Sequence, residues 1–398
     1  MTFPNEPIEA TRPDTPAGSL GAFGAARTAG TLSTTADALD PVSGGELDPV
    51  HGGELARLAQ DRSRRHVARL VSLMEDIRAR AAAAKDEAQR VLDDAAAARG
   101  HTSRIVGITG TPGSGKSSLV NVVTRSLLAL DPALTIAVVA VDPSSPTSGG
   151  SLLGDRTRMR HDADESDARL YFRSQASVTA LGGLAPLTFT VCQALATLFD
   201  CVLVETVGIG QSETDIRHLA DTVYLVIAPN GGDDVQMLKA GIIEIPDSFI
   251  VNKYDEPAAK VAYHQLRASL WLARPFDAAS IRIHTTSAID GQGIDKLARA
   301  VLADVRSGGA AEGTPAATGR PGGRVALAPG GGAGLSWETR TAHFFTQWVR
   351  EEWGRTGIRH LAARLGGAHE FLNGQSGFGA AQLAFSSDLS AAIAATPS

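Results

Sequence analysis

The chain has 398 residues, 43% of them hydrophobic, and a formal net charge of −6. That is material for a substantial core in one large domain or two to three ordinary ones, and its charge gives no basis for a nucleic-acid or anionic-membrane partner. The two cysteines, Cys192 and Cys201, lie in apolar runs and read as buried small hydrophobes in a reducing compartment; with no secretory signal and no bilayer-length apolar run, the cytoplasm is expected.

Residues 1–53 are rich in Thr, Pro, Gly and Ala and carry a tandem octapeptide, DPVSGGEL (Asp40 to Leu47) then DPVHGGEL (Asp48 to Leu55). Two copies cannot build a solenoid. A disordered tail is expected, its second copy running into the first helix. Residues 54–100 turn to Ala, Arg, Glu, Asp and Leu, with Val67, Leu70, Val71, Leu73, Met74 and Ile77 at helical spacing and no Gly or Pro before Gly100. One or two helices of an N-terminal extension follow.

Residues 101–306 alternate apolar runs with helical stretches, and strands are expected at 104–109, 135–141, 169–172, 201–205, 222–228, 248–252 and 281–286. The runs TIAVVAV, CVLVE and FIVN lack in/out alternation, as strands covered on both faces do. The fold class is therefore α/β, a three-layer α/β/α arrangement of the P-loop NTPase type around a mostly parallel sheet, with ligands at the carboxyl ends of the strands. Residues 307–334 read as a flexible linker. In 335–398, Phe345, Trp348, Val349 and Glu352 fall on helical spacing and predict a helical C-terminal segment, whereas Gly366 to Ser398 is ambiguous and rich in small residues.

Between the first expected strand and the helix after it lies Gly110-Thr111-Pro112-Gly113-Ser114-Gly115-Lys116-Ser117, followed by Ser118, fitting G-x-x-x-x-G-K-[ST]. Glycines at 110, 113 and 115 let the backbone curl so that successive N–H groups face phosphate oxygens, and the helix adds its positive end. Lys116 would reach the outer phosphates, and the Ser117 hydroxyl would ligate Mg²⁺.

Asn252-Lys253-Tyr254-Asp255 closes the strand FIVN and fits N-K-x-D. A carboxylate at Asp255 can accept from both N1–H and the 2-amino group of guanine, a pair adenine does not offer. Ser287-Ala288, closing the next strand, suits a backbone contact to the guanine carbonyl. Asp142, ending the second strand, and Asp155, in GDRTRM beyond a Pro- and Ser-rich loop, are metal-side candidates. Glu205-Thr-Val-Gly208 stands where many GTPases have D-x-x-G, with Glu205 on the metal side and the Gly208 N–H on the γ-phosphate. The residue after that glycine is Ile209 rather than a water-orienting glutamine, and Gln211 comes two positions later, so unaided hydrolysis is expected to be slow. Asn230-Gly-Gly-Asp233-Asp234 reads by itself as a polar, mobile loop.

Taken in order, GTPGSGKSS, VDPSSPTSGGSLLGDRTRM, VETVGIGQSE, the GGDD loop and NKYD closely resemble the MeaB/ArgK family of P-loop GTPases over roughly residues 60–305. The resemblance implies GTP/GDP and Mg²⁺ as ligands and a G-protein chaperone of an adenosylcobalamin-dependent acyl-CoA mutase, chiefly methylmalonyl-CoA mutase, as a homodimer joined through C-terminal helices. It implies that Ser117, Asp142, Asp155 and Glu205 are Mg²⁺-side residues, that Lys116, Glu205 and Gly208 serve hydrolysis, and that Gly231, Gly232, Asp233, Asp234 and Lys239 form a switch loop answering to the mutase. Two other classes compete. A metallochaperone GTPase is disfavoured because no histidine pairs with a cysteine. A nucleotide-dependent protein kinase of a transport system, an old label of the same family, is disfavoured because no H-R-D-type loop is present.

Overall fold

The computed structural model describes residues 51–76, 78, 81–143, 168–177, 184–206, 212–229, 242–307 and 335–395. Seven strands, β1 (Arg104–Gly110), β2 (Ile136–Pro143), β3 (Leu170–Ser177), β4 (Cys201–Glu205), β5 (Thr222–Ile227), β6 (Ser248–Val251) and β7 (Arg282–Thr285), form one sheet in the order β3, β2, β4, β1, β5, β6, β7. Every pairing is parallel. The helices are α1 (Gly52–Leu58), α2 (Arg64–Met74), α3 (Ala82–Ala98), α4 (Lys116–Leu130), α5 (Pro186–Ala196), α6 (Ser212–Leu219), α7 (Ala258–Ala273), α8 (Ile294–Ser307), α9 (Trp337–Arg364), α10 (Ala368–Asn373) and α11 (Phe378–Ala394). No described helix is long and apolar enough to cross a membrane.

The unalternating strand runs have the cause the sequence suggests: both sheet faces are covered. Val106, Ile108, Val138, Leu203, Tyr224 and Val226 pack under α4 and α8 through Leu119, Val123, Leu127, Leu297 and Val301. Ile105, Val139, Val202, Val204 and Val223 pack on the other face, in one core with residues of α1, α2, α3, α5, α6, α9 and α11. Gly107 is the one strand position on that second face without room for a side chain, since a Cβ would stand 2.6 Å from Ile216 Cγ1 of α6. Towards β6, α7 closes a third cluster over Leu225, Phe249 and Val251.

The layer on the second face is drawn from both ends of the chain. Ser63 caps α2 by accepting from the His66 amide, and Val67, Leu70, Val71 and Met74 are its buried stripe. In α9 and α11 the large buried side chains include four phenylalanines: Phe344 stacks on Phe189 of α5 at 4.8 Å between centroids, and Phe345 meets Phe385 edge-on at 5.9 Å. A kink at Gly354 (φ 56°) divides α9.

Several boundaries differ from those read in the sequence. The expected tail of 1–53 overlaps α1, which opens at Gly52, because that glycine lies where a Cβ would come 1.9 Å from the Ala84 carbonyl oxygen. The extension of 54–100 holds three α-helices and a short 3-10 turn rather than one or two helices. β3 runs to Ser177, beyond the expected end at 172, because its polar residues have fixed partners: Arg173 and Gln175 both donate to Glu75. The ambiguous stretch 366–398 forms α10 and α11. Residues 1–50 and 308–334, which carry most of the expected tail and linker, lie outside the described residues.

A buried ionic contact ties α9 to the sheet. Asp221, just before β5, accepts from the Ile105 amide at 2.8 Å and pairs with Arg340 Nη2 at 2.9 Å, while Arg104 Nη1 stands 3.8 Å away. Arg340 also donates to the carbonyls of Leu219 and Leu335, and all three ionic side chains are buried. Arg340→Ala strands part of a buried charge, a change that costs about 3–5 kcal/mol. The lower end is expected because Arg104 and the Ile105 amide remain beside Asp221; urea denaturation followed by tryptophan fluorescence reads it.

Candidate nucleotide site

The sheet brings the carboxyl ends of β2, β4, β1, β5 and β6 side by side, and the described sequence-predicted residues stand at those ends or just beyond them. After β1 the chain turns at Gly110, whose φ of 149° and close approach to the Val226 carbonyl (2.1 Å for a Cβ) exclude any side chain. Gly113 (φ 76°) and Gly115 (φ 83°) continue the curl, and α4 starts at Lys116. Lys116 is buried, and its ammonium donates to the Gly110 and Thr111 carbonyls at 2.9 Å each. Ser114 is fully buried, and its hydroxyl has no hydrogen-bond partner among the described residues.

The loop after β6 is fastened directly to this turn. Asn252 Nδ2 donates to the Ser114 carbonyl at 2.8 Å, and Asn252 Oδ1 accepts from Thr286 Oγ1 at 3.2 Å. A Cβ on Gly115 would come 2.7 Å from that same amide nitrogen, so the glycine also makes room for the contact. The Tyr254 amide donates to the Thr286 carbonyl, and the Ser287 amide to the Gln292 carbonyl, both at 2.9 Å. Lys253 takes φ 55° at the bend, and Asp255 is exposed beyond it. The structure thus joins Asn252, Lys253 and Asp255 to the segment of Ser287 and Ala288, and both to the turn of 110–117.

On the opposite side of β1 the oxygen donors gather. Glu205 ends β4, in register with Ile108 of β1 and Ala140 of β2, and Asp142 lies two residues beyond Ala140. Ser117 Oγ donates to Glu205 Oε1 at 2.6 Å. Glu205 and Asp142 are both buried. Two contacts here have no counterpart in the motif reading: Ser174 Oγ of β3 donates to Asp142 Oδ2 at 2.6 Å, and Thr206 Oγ1 donates to Thr109 Oγ1 at 2.8 Å. Both rest on Ser and Thr hydroxyls in or beside strands, a signal too common in sequence to single out. Asp155, Gly208, Gly231, Gly232, Asp233, Asp234 and Lys239 lie outside the described residues. Cys192 and Cys201 are free and buried, and burial pushes both thiols far above their ordinary range, as expected of packing residues.

Residues 67–316 match the family described as Methylmalonyl Co-A mutase-associated GTPase MeaB. A Pyrococcus abyssi chain named as a GTPase is 43% identical over 209 residues, 52% of this chain and 60% of its own length. GTPase ArgK of Escherichia coli is 38% identical over 210 residues, 51% of this chain and 61% of its own. The methylmalonic aciduria type A homolog, mitochondrial, of Mus musculus is 36% identical over 199 residues, 48% of this chain and 46% of its own. The match therefore spans less than two thirds of the length of any of the three. A crystal structure of an LAO/AO transport system kinase shares the fold, with a TM-score of 0.51 and 24% identity over 80% of this chain and 89% of that one.

Removing the bond between the loops has a defined consequence. Asn252→Ala leaves the Ser114 carbonyl and the Thr286 hydroxyl without that partner, at a cost of about 1–3 kcal/mol. A loss of roughly tenfold in affinity for a fluorescent guanine nucleotide is expected, measured by titration, with far-UV circular dichroism unchanged.

Proposed function

This chain belongs to the Methylmalonyl Co-A mutase-associated GTPase MeaB family, and on that premise we propose that it binds guanine nucleotide, hydrolyses GTP with Mg²⁺, and serves an adenosylcobalamin-dependent acyl-CoA mutase as a chaperone. In this role it assists and protects the mutase and gates its cofactor loading, as a cytoplasmic homodimer. The observation that carries the nucleotide reading is the bond from Asn252 to the Ser114 carbonyl, which makes a phosphate-type turn and a base-type loop one unit. A phosphate and a guanine at those two places belong to one ligand.

Lys116 is held by two carbonyls of its own turn, so the arriving phosphates exchange for them and take over the ammonium's hydrogen bonds. The glycine-shaped backbone from 110 to 117 and the start of α4 present N–H groups to the same oxygens. Asp255 reads N1–H and the 2-amino group of guanine, and the Ser287–Ala288 backbone reads its carbonyl. The donors on the cation side, a serine hydroxyl and two buried carboxylates, are hard oxygens of the kind Mg²⁺ prefers, shared with phosphates rather than enclosed in an all-protein cage. When bound, Mg²⁺ would supply positive charge against the charge developing on the phosphoryl oxygens. Ser117 and Glu205 would hold its side of the site, with Asp142 and Asp155 as further metal-side residues. Gly208 contributes its N–H at the γ-phosphate, and the loop of Gly231, Gly232, Asp233, Asp234 and Lys239 answers to the mutase.

Two measurements test this reading. Asp255→Asn is expected to shift preference from GTP toward XTP, because xanthine presents a carbonyl where guanine has its amine; a variant that still strongly prefers GTP removes Asp255 from the base site. GTP turnover is expected to rise on adding a purified acyl-CoA mutase. The rise should fall below the roughly 10³–10⁵-fold seen when an arginine is supplied in trans, since a mutase that favours the competent conformation raises turnover only by its differential affinity for it. Equal rates in a demonstrated complex would overturn partner-stimulated hydrolysis and leave the nucleotide site standing.

A further inference from the structure

Asp142 is carried on β2, and among the described strands only β3 lies beyond it, at the edge of the sheet. The two strands are in register from Ile136 with Leu170 to Pro143 with Ser177, which sets Ser174 opposite Ala140. Side chains two residues apart on a strand share a face, so Ser174 is the diagonal neighbour of Asp142. Its hydroxyl donates to Asp142 Oδ2 at 2.6 Å, a separation typical of a charge-assisted O–H···O⁻ bond. The carboxylate is 8% exposed. A strong donor on one oxygen restricts rotation of the carboxylate about its side-chain bonds.

The donor is itself immobilised. Arg173 and Gln175, on the opposite face of β3 from Ser174, both reach Glu75 at the carboxyl end of α2. Arg173 Nε donates to Glu75 Oε1 at 3.0 Å, its Nη2 pairs with Glu75 Oε2, and Gln175 Nε2 donates to Glu75 Oε1 at 2.9 Å. The edge strand is thus pinned by the N-terminal helices on one face while it grips Asp142 on the other. A strand interior with three consecutive polar side chains is unusual for a covered sheet, and here each has a carboxylate partner.

We propose that Ser174 is a positioning residue for the cation side of the nucleotide site: its hydroxyl fixes Asp142 in the orientation that receives the divalent ion and its water. The inference rests on the reading of Asp142 given under Proposed function. Groups that orient a metal-side ligand without touching the metal typically change metal affinity by about 10–100-fold when removed. The effect belongs to the ion rather than to the nucleotide, because Ser174 is bonded to Asp142 and the turn of 110–117 leaves a different strand, β1.

The test is retention of a fluorescent GDP or non-hydrolysable GTP analogue by the full chain while Mg²⁺ is titrated, beside the same measurement in EDTA. Ser174→Ala is expected to raise the Mg²⁺ midpoint by about tenfold, the low end for such partners, with affinity in EDTA unchanged. Ser174→Thr, which keeps the hydroxyl and suits a strand, is expected to restore the wild-type midpoint. GTP turnover of Ser174→Ala should recover at saturating Mg²⁺, which a general loss of folding would not allow. A wild-type midpoint in Ser174→Ala beside a shifted one in Asp142→Ala overturns the positioning role. No shift in either variant removes Asp142 from the cation side, and the inference falls with it.

Discussion

A parallel sheet has two faces, and neither can be left to water when its strands are apolar throughout. β1 is buried along its whole length, so the architecture depends on finding cover for both sides. One side is met by α4 and α8, which leave or follow the strands they lie on. The other side needs more than α5 and α6, and the chain supplies it from beyond the sheet: α1 to α3 before β1, and α9 with α11 after α8. This is why glycine appears at Gly107 and Gly52, where helix and strand or helix and helix approach too closely for a side chain. It is also why a fully buried arginine on α9 is tolerated: the same Asp221 that caps the Ile105 amide receives it.

The nucleotide-type site inherits its rigidity from that packing. Its parts stand on adjacent strands with fixed register, so Glu205, Asp142 and the turn after Gly110 keep their spacing without any ligand. The bond from Asn252 to Ser114 does the same across β5. A preorganised site spends little of its binding energy on ordering itself. The carbonyls that hold Lys116 set the opposing cost, because those contacts must be surrendered when phosphate arrives.

Much of this was legible in the sequence, for identifiable reasons. Strands covered on both faces are continuous apolar runs, and TIAVVAV, CVLVE and FIVN located β2, β4 and β6 to within a residue or two. The glycine and lysine spacing of 110–117 has a narrow set of backbone solutions, so the sequence alone specifies the turn. What resisted were elements whose logic is non-local. β3 reads short in the sequence because Arg173, Ser174 and Gln175 look like the end of a strand until Glu75 and Asp142 are placed beside them. The helix α11 was obscured by its alanines and serines: its buried Phe378, Ala381, Phe385 and Leu389 make sense only against the aromatic groups of α9 and the small residues of α3.

The contribution of α9 and α11 has a consequence for biosynthesis. Ile105, Val202 and Val223 leave the ribosome well before Phe344, Phe345 and Phe385, so one face of the nascent sheet, already partly covered by α1 to α3, α5 and α6, stays incompletely covered until the last helices are made. Contacts this distant in sequence slow folding, and exposed apolar surface in a partly made chain invites aggregation. The attachment of Arg340 to Asp221 joins residues more than a hundred positions apart, so it can form only after the sheet has received its carboxylate. Vectorial synthesis therefore leaves the ends of the strands that bear the nucleotide-type loops assembled first and the lid on the far face last. That interval is when exposed apolar surface gives folding chaperones most to bind.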